Sequence, residues 1–267
     1  MKRTPVRIRA SSLGDLFDCP ARWRAIHIEG RRSPQNAAAA LGTAIHAGAA
    51  VYDIDRVHGV APSVSAAEDA AVESVRAPSE ETVWDEGTAA KAERVARSVV
   101  SRYCREESGW HDWAAVEASV ESLAIEDLAI ELTGHVDRVR RAEDGYGITD
   151  LKSGKQAVGV DSRARTKGHA AQLGVYELVA QAATGLPITE PAEIIGLQTN
   201  LTPAKQRIGV AQIEGAREAL LGDEEKPGLL AIASKIVHCE IPAWGNPRSM
   251  MCHPNFCPAF HQCFWRR

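Results

Sequence analysis

The fold class that the sequence predicts is α/β (α+β): one domain with a mixed central sheet flanked by helices. Three observations predict it. Helical periodicity dominates the first hundred residues, short β-type runs begin near Trp113, and a helix, a strand and a further helix follow. There is no internal repeat and no low-complexity linker. At 267 residues the chain can bury a sizeable core. Its 45% apolar and 25% charged residues are ordinary for a globular protein and exclude a wholly disordered chain.

Ser11-Ser12 offers an N-cap to a first amphipathic helix carrying Leu13, Leu16, Phe17, Trp23 and Ile26 and running to about Ile28. Pro20 lacks a backbone donor, so Cys19-Pro20 predicts a kink or the first turn of a new helix. The Ala-rich stretch from Pro34 to about Val57 reads as helix, as do Val64 to Val75 and Thr88 to Arg105. Polar, turn-rich connections at Ala77-Pro78-Ser79-Glu80-Glu81 and Trp84-Asp85-Glu86-Gly87 separate them. Val116, Val120, Leu123, Ile125, Leu128, Ile130 and Leu132 then bring β-type runs, and Gly134 to Val139 alternates apolar with polar residues before a turn at Asp144-Gly145. With Tyr146 to Lys152 as second arm, ending at Ser153-Gly154, this is a hairpin signature. A helix is expected from about Ser162 to Ala183, a strand over Glu193 to Thr199, and a last long helix from about Ala211 to Ile236. The tail from Pro242 to Arg267 is rich in Pro, Cys, His and aromatics and has no periodicity, so something other than a core must order it. The single domain, 1–267, thus divides into a helical region at about 11–110, a core at about 113–236 and a tail at about 237–267.

The net charge of −4 means that any polyanion-binding surface must be a local patch. Arg22, Arg24, Arg31 and Arg32 form one candidate, Arg138, Arg140 and Arg141 a second, and Lys155, Arg163, Arg165 and Lys167 a third. The basic N-terminus precedes no long apolar segment, and no run approaches the roughly 20 apolar residues of a membrane span, so the expected location is cytoplasmic with no membrane partner. In that reducing compartment the six cysteines are expected as ligands rather than disulfides.

On the hairpin, Asp150 and Lys152 share a face by the period of two, and Asp137 lies on the neighbouring arm. Two carboxylates and an ammonium suit phosphodiester hydrolysis. Carboxylate oxygens are hard ligands for Mg²⁺ or Mn²⁺, which polarise a phosphate, and a lysine positions the nucleophile and offsets developing charge. A surface salt bridge on a hairpin is the plain alternative.

Four separate words resemble the RecB-type nuclease family of the PD-(D/E)XK superfamily: Gly42-Thr43-Ala44-Ile45-His46, Gly134-His135-Val136-Asp137, Asp150-Leu151-Lys152 and Gln172-Leu173-Gly174-Val175-Tyr176. The family's order is kept, although no Pro precedes Asp137. The resemblance implies the restriction-endonuclease-like core, with Asp137, Asp150, His46 and the Leu151 carbonyl as metal ligands. It makes Lys152 the catalytic lysine and places Gln172 and Tyr176 on the DNA-facing cleft. Glu117, on the preceding strand, is a weaker candidate for an accessory acidic role.

Cys252, Cys257 and Cys263 bring three soft ligands into one loop, and a fourth must come from Cys19, Cys239, His253 or His261. In relatives such as AddB-type and CRISPR-adaptation nucleases, one cysteine before the core joins three after it around an iron-sulfur cluster. The segments around Cys19-Pro20 and Cys257-Pro258 resemble theirs, which implies a [4Fe-4S] cluster on Cys19, Cys252, Cys257 and Cys263, with Zn²⁺ as the alternative because four residues, rather than two, separate the first two tail cysteines. Cys104 and Cys239 read as buried structural thiols.

These readings converge on a metal-dependent exonuclease acting on DNA ends, single-stranded or duplex, in repair, recombination or phage DNA metabolism. No phosphate-cradling Gly-x4-Gly-Lys loop appears, so a helicase or recombination protein would be a separate chain. The alternatives are an endonuclease or spacer-processing nuclease, and a non-catalytic DNA-binding subunit.

Overall fold

Successive residues of a strand face opposite ways, and in β7 (Ala192–Gln198) Ile194 and Ile195 are both fully buried, each in a different core. A strand buried on both faces belongs in a sheet covered on both sides by helices. A computed structural model, which describes residues 3–78, 81–84 and 87–266, has this architecture. Ser79-Glu80 and Asp85-Glu86 of the two polar connections lie outside the described residues.

The sheet runs β1 (Val6–Arg9), β5 (Ile130–Arg141), β6 (Tyr146–Gly154), β7 and β8 (Ile208–Ile213), and β4 (Asp112–Ile125) pairs with β5. A separate parallel pair joins β2 (Gln35–Asn36) and β3 (Thr82–Val83). On one face α1 (Leu13–Asp18), α2 (Pro20–His27), α6 (Ala170–Thr184), α7 (Ala216–Leu221) and α8 (Leu229–Val237) close a core around Ile8, Trp23, Leu132, Leu173 and Ile194. On the other, α3 (Ala37–Val57), α4 (Val64–Arg76) and α5 (Thr88–Glu106) pack on Leu151, Ile195 and Leu197 through Ile45, Val99 and Tyr103. By length and composition α3 could cross a membrane, against the expectation that no segment could; yet Ala44, Ile45, Ala49 and Asp53 on it are fully buried in the protein, so it is a core helix.

Several elements differ from the sequence expectation. The first arm of the sheet, β1, was read only as a basic leader; parallel pairing with Ile130–Thr133 makes it a strand, and no local signal announces a partner so distant. The helix expected from Ser162 begins at Ala170, because Ser162 and Gly168 hold positive φ and residues 155–169 form a loop. The last long helix is instead β8, α7 and α8: Gly215 and Gly222 sit at φ +69° and +74°, and Pro227-Gly228 breaks the chain again. Ser12 stands at the N-cap of α1 but makes no cap bond, because its hydroxyl donates to the Arg9 carbonyl at 2.9 Å. Pro20 opens α2 after a break at Cys19, and the Asn36 side chain caps α3 by accepting from Ala39 N at 2.9 Å.

The placement of the site follows from β5. All along one edge it pairs with β4, while the opposite edge is shared: β1 takes residues 130–133 and β6 takes 138–141. Between them, Gly134 to Asp137 have no strand on that edge, and β6 leaves β5 to pair in parallel with β7. A cleft opens where the two strands part.

Candidate active site and cysteine cavity

Asp137 is the first residue of β5 past its pairing with β6, opposite the point where Asp150, Leu151 and Lys152 continue on β6. Its carboxylate replaces the missing ladder bond, with Oδ2 accepting from Leu151 N at 2.7 Å. The His46 ring, from α3, brings Nδ1 to 3.3 Å from the same oxygen. Lys152 Nζ stands 2.6 Å from Asp150 Oδ2 as an ion pair, and this buried oxygen has no other polar partner among the described residues. The structure thus gathers His46, Asp137, Asp150, Leu151 and Lys152 from three elements into one cleft.

Their charges pull the two carboxyls apart. Burial disfavours ionised Asp137, but the neighbouring His46, Arg138 and Lys152 outweigh it and hold the carboxyl below its ordinary range. Burial is also the largest influence on Asp150 and there it prevails: Lys152 opposes it, Asp137 adds to it, and the carboxyl is raised. Burial likewise opposes the charged form of His46, yet Asp137 and Asp150 together raise its imidazole. The donor set fits a hard divalent cation, with carboxylate oxygens from two strands, an imidazole and, on Asp150, a buried oxygen whose partner is the Lys152 ammonium. As they stand, with Asp150 turned to Lys152, no group of three or more His, Cys, Asp or Glu among the described residues forms a ready ion site.

Gln172 and Tyr176, one turn apart on α6, are joined by a 2.9 Å hydrogen bond from Gln172 Nε2 to the tyrosine hydroxyl. Tyr176 covers Gly134 so closely that a Cβ there would stand 2.9 Å from the ring, which explains the glycine three residues before Asp137. Burial, together with the charges of Asp150 and Asp137, raises the Tyr176 phenol and keeps it protonated. Glu117 on β4 adopts φ +53° between two residues that pair with β5 in one register, Val116 with Arg138 and Ala118 with Val136, and its carboxylate lies 3.5 Å from Arg138 Nη1. Burial and Asp137 raise that carboxyl, against Arg138.

Two participants escaped the sequence reading. Asp53, fully buried on α3, accepts from Arg138 Nε at 2.6 Å, Tyr103 Oη at 2.6 Å and Trp113 Nε1 at 3.0 Å, and also from the Ser108 hydroxyl. Arg138 in turn donates to the Asp137 carbonyl at 2.7 Å, so this network ties α3 to the strand that carries Asp137. The reading of Arg138, Arg140 and Arg141 as a DNA patch is corrected accordingly. Arg138 is fully buried, and Arg140 is buried with its guanidinium on the Ile148 and Pro191 carbonyls. The second is His169, whose imidazole burial and the Lys152 charge push down to about 4. A lone Asp on an Ala-rich helix and a His before a helix carry no periodic signal that would have marked them.

In the tail, Cys19, Cys252, Cys257 and Cys263 all line one cavity of about 330 Å³ together with Arg22 and Arg31, while Cys239, His253 and His261 do not. Asn246 N donates to Cys19 Sγ at 3.4 Å. Burial raises the Cys257 thiol, and Cys19 and Cys263 add to this. Four soft donors line one cavity and have the donor chemistry of a cluster or a Zn²⁺ ion, but among the described residues no three of them stand together as a formed ion site, and Arg22 and Arg31 are paired with Asp15 and Glu29 at 3.0 Å. Cys104 is buried as expected, its thiol pushed up to about 12 by burial. Cys239, by contrast, is exposed, because φ +61° turns the chain at the end of α8 and leaves the thiol beside Arg24. All six cysteines are free of disulfides.

A search of curated proteins finds no significant match. The family model of the PD-(D/E)XK nuclease superfamily matches residues 7–264, nearly the whole chain; the protein therefore belongs to that superfamily and is a nuclease.

Proposed function

We propose that the protein is a Mg²⁺- or Mn²⁺-dependent DNA exonuclease that hydrolyses phosphodiester bonds from DNA ends in repair, recombination or phage DNA metabolism. The observation that carries the reading is the meeting of His46, Asp137, Asp150 and Lys152 in the cleft where β5 and β6 part. His46, Asp137, Asp150 and the Leu151 carbonyl would hold the cation, which supplies Lewis-acid polarisation of the scissile phosphate. Asp137 stays ionised because three cationic or ionisable neighbours face it, so it is ready to ligate at neutral pH. Lys152, which stands 2.6 Å from Asp150, would orient the attacking water and offset charge on the phosphate. Gln172 and Tyr176 present an amide and a neutral hydroxyl to the DNA, and their mutual hydrogen bond fixes both. The four tail-cavity cysteines would carry a [4Fe-4S] cluster as a staple closing a loop of nearly the whole chain. A helicase or recombination protein on a separate chain would supply DNA unwinding.

The test is a digestion time course with Mg²⁺ or Mn²⁺ on end-labelled linear DNA and on covalently closed circles, after anaerobic purification and an absorption spectrum. Cutting of linear DNA alone supports the exonuclease. Cutting of circles makes the protein an endonuclease, and binding without cutting makes it a DNA-binding subunit.

A further inference from the structure

Beyond the catalytic cleft, a groove of about 980 Å³ opens where the C-terminal ends of β6 and β7 meet the first turns of α3 and α5. It begins one residue after Lys152: Ser153, Gly154 and Lys155 line it, and a Cβ on Gly154 would meet nothing within 4 Å. The Gly42 backbone of α3 approaches closely there, since a Cβ would stand 3.1 Å from Ser153 Oγ, and His46 follows one turn later. The groove and the catalytic residues are therefore continuous along both β6 and α3.

The lining is positively charged in a protein whose net charge is −4. Lys91, Lys155 and Lys205 face it, all three are exposed, and none has an ion-pair partner among the described residues. No Asp or Glu is among the described lining residues, whereas Leu41, Val95 and Leu201 give it apolar sides, Leu201 at 65% exposure. Arg163, Arg165 and Lys167 of the loop after β6 are likewise exposed. Unpaired ammonium groups beside apolar surface match the chemistry of a single nucleic-acid strand, phosphates on the cations and bases on the apolar walls. The volume is at the top of the range for small-ligand pockets, room for a few nucleotides of one strand rather than a duplex.

We propose that this groove seats the DNA strand on one side of the scissile phosphate, with its phosphates on Lys91, Lys155 and Lys205 and its bases against Leu41 and Leu201. The inference rests on the nuclease reading of the neighbouring cleft, and its test separates the two. Anisotropy of a labelled oligo-dT is titrated with salt, without added Mg²⁺ or Mn²⁺, for the wild type, for the triple variant Lys91→Ala, Lys155→Ala, Lys205→Ala, and for Lys235→Ala on α8 as control. Each single-strand phosphate contact contributes about 0.7 to the slope of log K against log salt, so the triple variant should flatten the slope by about 2 and the control should not change it. With Mg²⁺, the triple variant should raise KM several-fold and leave kcat nearly unchanged. Lys155→Glu, a single exposed substitution, should flatten the slope by about one contact even if the triple variant folds poorly. An unchanged slope in the Lys155→Glu and triple variants overturns the groove, even if the wild type cuts DNA. A wild type that never cuts overturns the nuclease reading, and the slope still decides the groove.

Discussion

Around Asp150 every neighbour is supplied by the core of the fold: β5, β6 and α3 each contribute a side chain or a backbone group, and Leu151 beside it is fully buried. Residues 242–266 contain only a three-residue 3₁₀ turn, and Met250 and Phe264 are both 89% exposed. The tail is tied down instead by scattered polar bonds, Asn246 Nδ2 to Asp18 Oδ1 at 2.9 Å and Arg31 Nη1 to Gln262 Oε1 at 2.7 Å among them, and by four cysteines around a cavity. One region is ordered by burial before any ligand arrives; the other has soft donors where a core would be. Order and chemistry are therefore separable in this molecule, and substitutions should divide along that line.

The sharpest division sets Lys152→Ala against Cys257→Ala. Lys152→Ala should cut the hydrolysis rate by at least ~10³-fold, as several kcal/mol of transition-state stabilisation are lost, with a smaller loss of stability than Cys257→Ala because the buried Asp150 carboxyl that loses its 2.6 Å ion pair takes up a proton. Cys257→Ala should do the reverse: on the order of 5 kcal/mol of stability lost with the ligated centre, the tail cleaved readily by protease, and the residual folded fraction still cutting. Thermal melts, limited proteolysis and rates on the same preparations read both. Comparable losses of stability in the two variants would erase the distinction between the regions.

A smaller effect probes the join between the helical layer and the sheet. Asp53→Asn removes the carboxylate 2.6 Å from the fully buried Arg138 guanidinium and leaves it only Glu117, at 3.5 Å, and removing one partner of a buried pair costs about 3–5 kcal/mol. Urea unfolding should show this loss, and activity should fall with it because Arg138 also holds the Asp137 carbonyl. Unaltered stability would mean that the pair does not join the layers.

The smallest effect lies on α6, at Glu177, the residue after Tyr176. Burial, reinforced by Glu218 and opposed by Arg217, lifts the Glu177 carboxyl from 4.5 to about 7. Between those values the folded chain keeps a proton that the unfolded chain has lost, so stability falls as pH rises from 4.5 to about 7 and then levels off. Glu177→Gln should remove the decline, with a gain on the order of 2 kcal/mol at pH 8 and none near pH 4, measured by urea unfolding across pH. A parallel decline in both proteins would assign it to another group.

Much of the site was legible in the sequence because its parts are local words. Asp150 and Lys152 are two residues apart on one strand, Gln172 and Tyr176 one turn apart on one helix, and the turn after Arg141 announces the strand pairing that brings Asp137 opposite them. Of the four cysteines that line the tail cavity, spacing marks Cys252, Cys257 and Cys263, and Cys19 is named only by the resemblance of its segment to the family. Asp53 was not legible, since its importance comes from Arg138, 85 residues away, and nothing near either residue marks the pair.

By itself the sequence determined the two-faced sheet, the hairpin, the helical N-terminal third and the identity of the chemical groups, because periodicity, capping and turn residues act over a few positions. Only the tertiary structure decided that β1 joins β5, that the last helix breaks into a strand and two helices, that Asp137 substitutes for a ladder bond to Leu151, and that three lysines with no ion-pair partner among the described residues, from α5, the loop after β6 and the turn before β8, face one groove. Those outcomes depend on contacts between segments tens of residues apart, whose free energy is settled by packing and the loss of water rather than by any residue's neighbours in the chain.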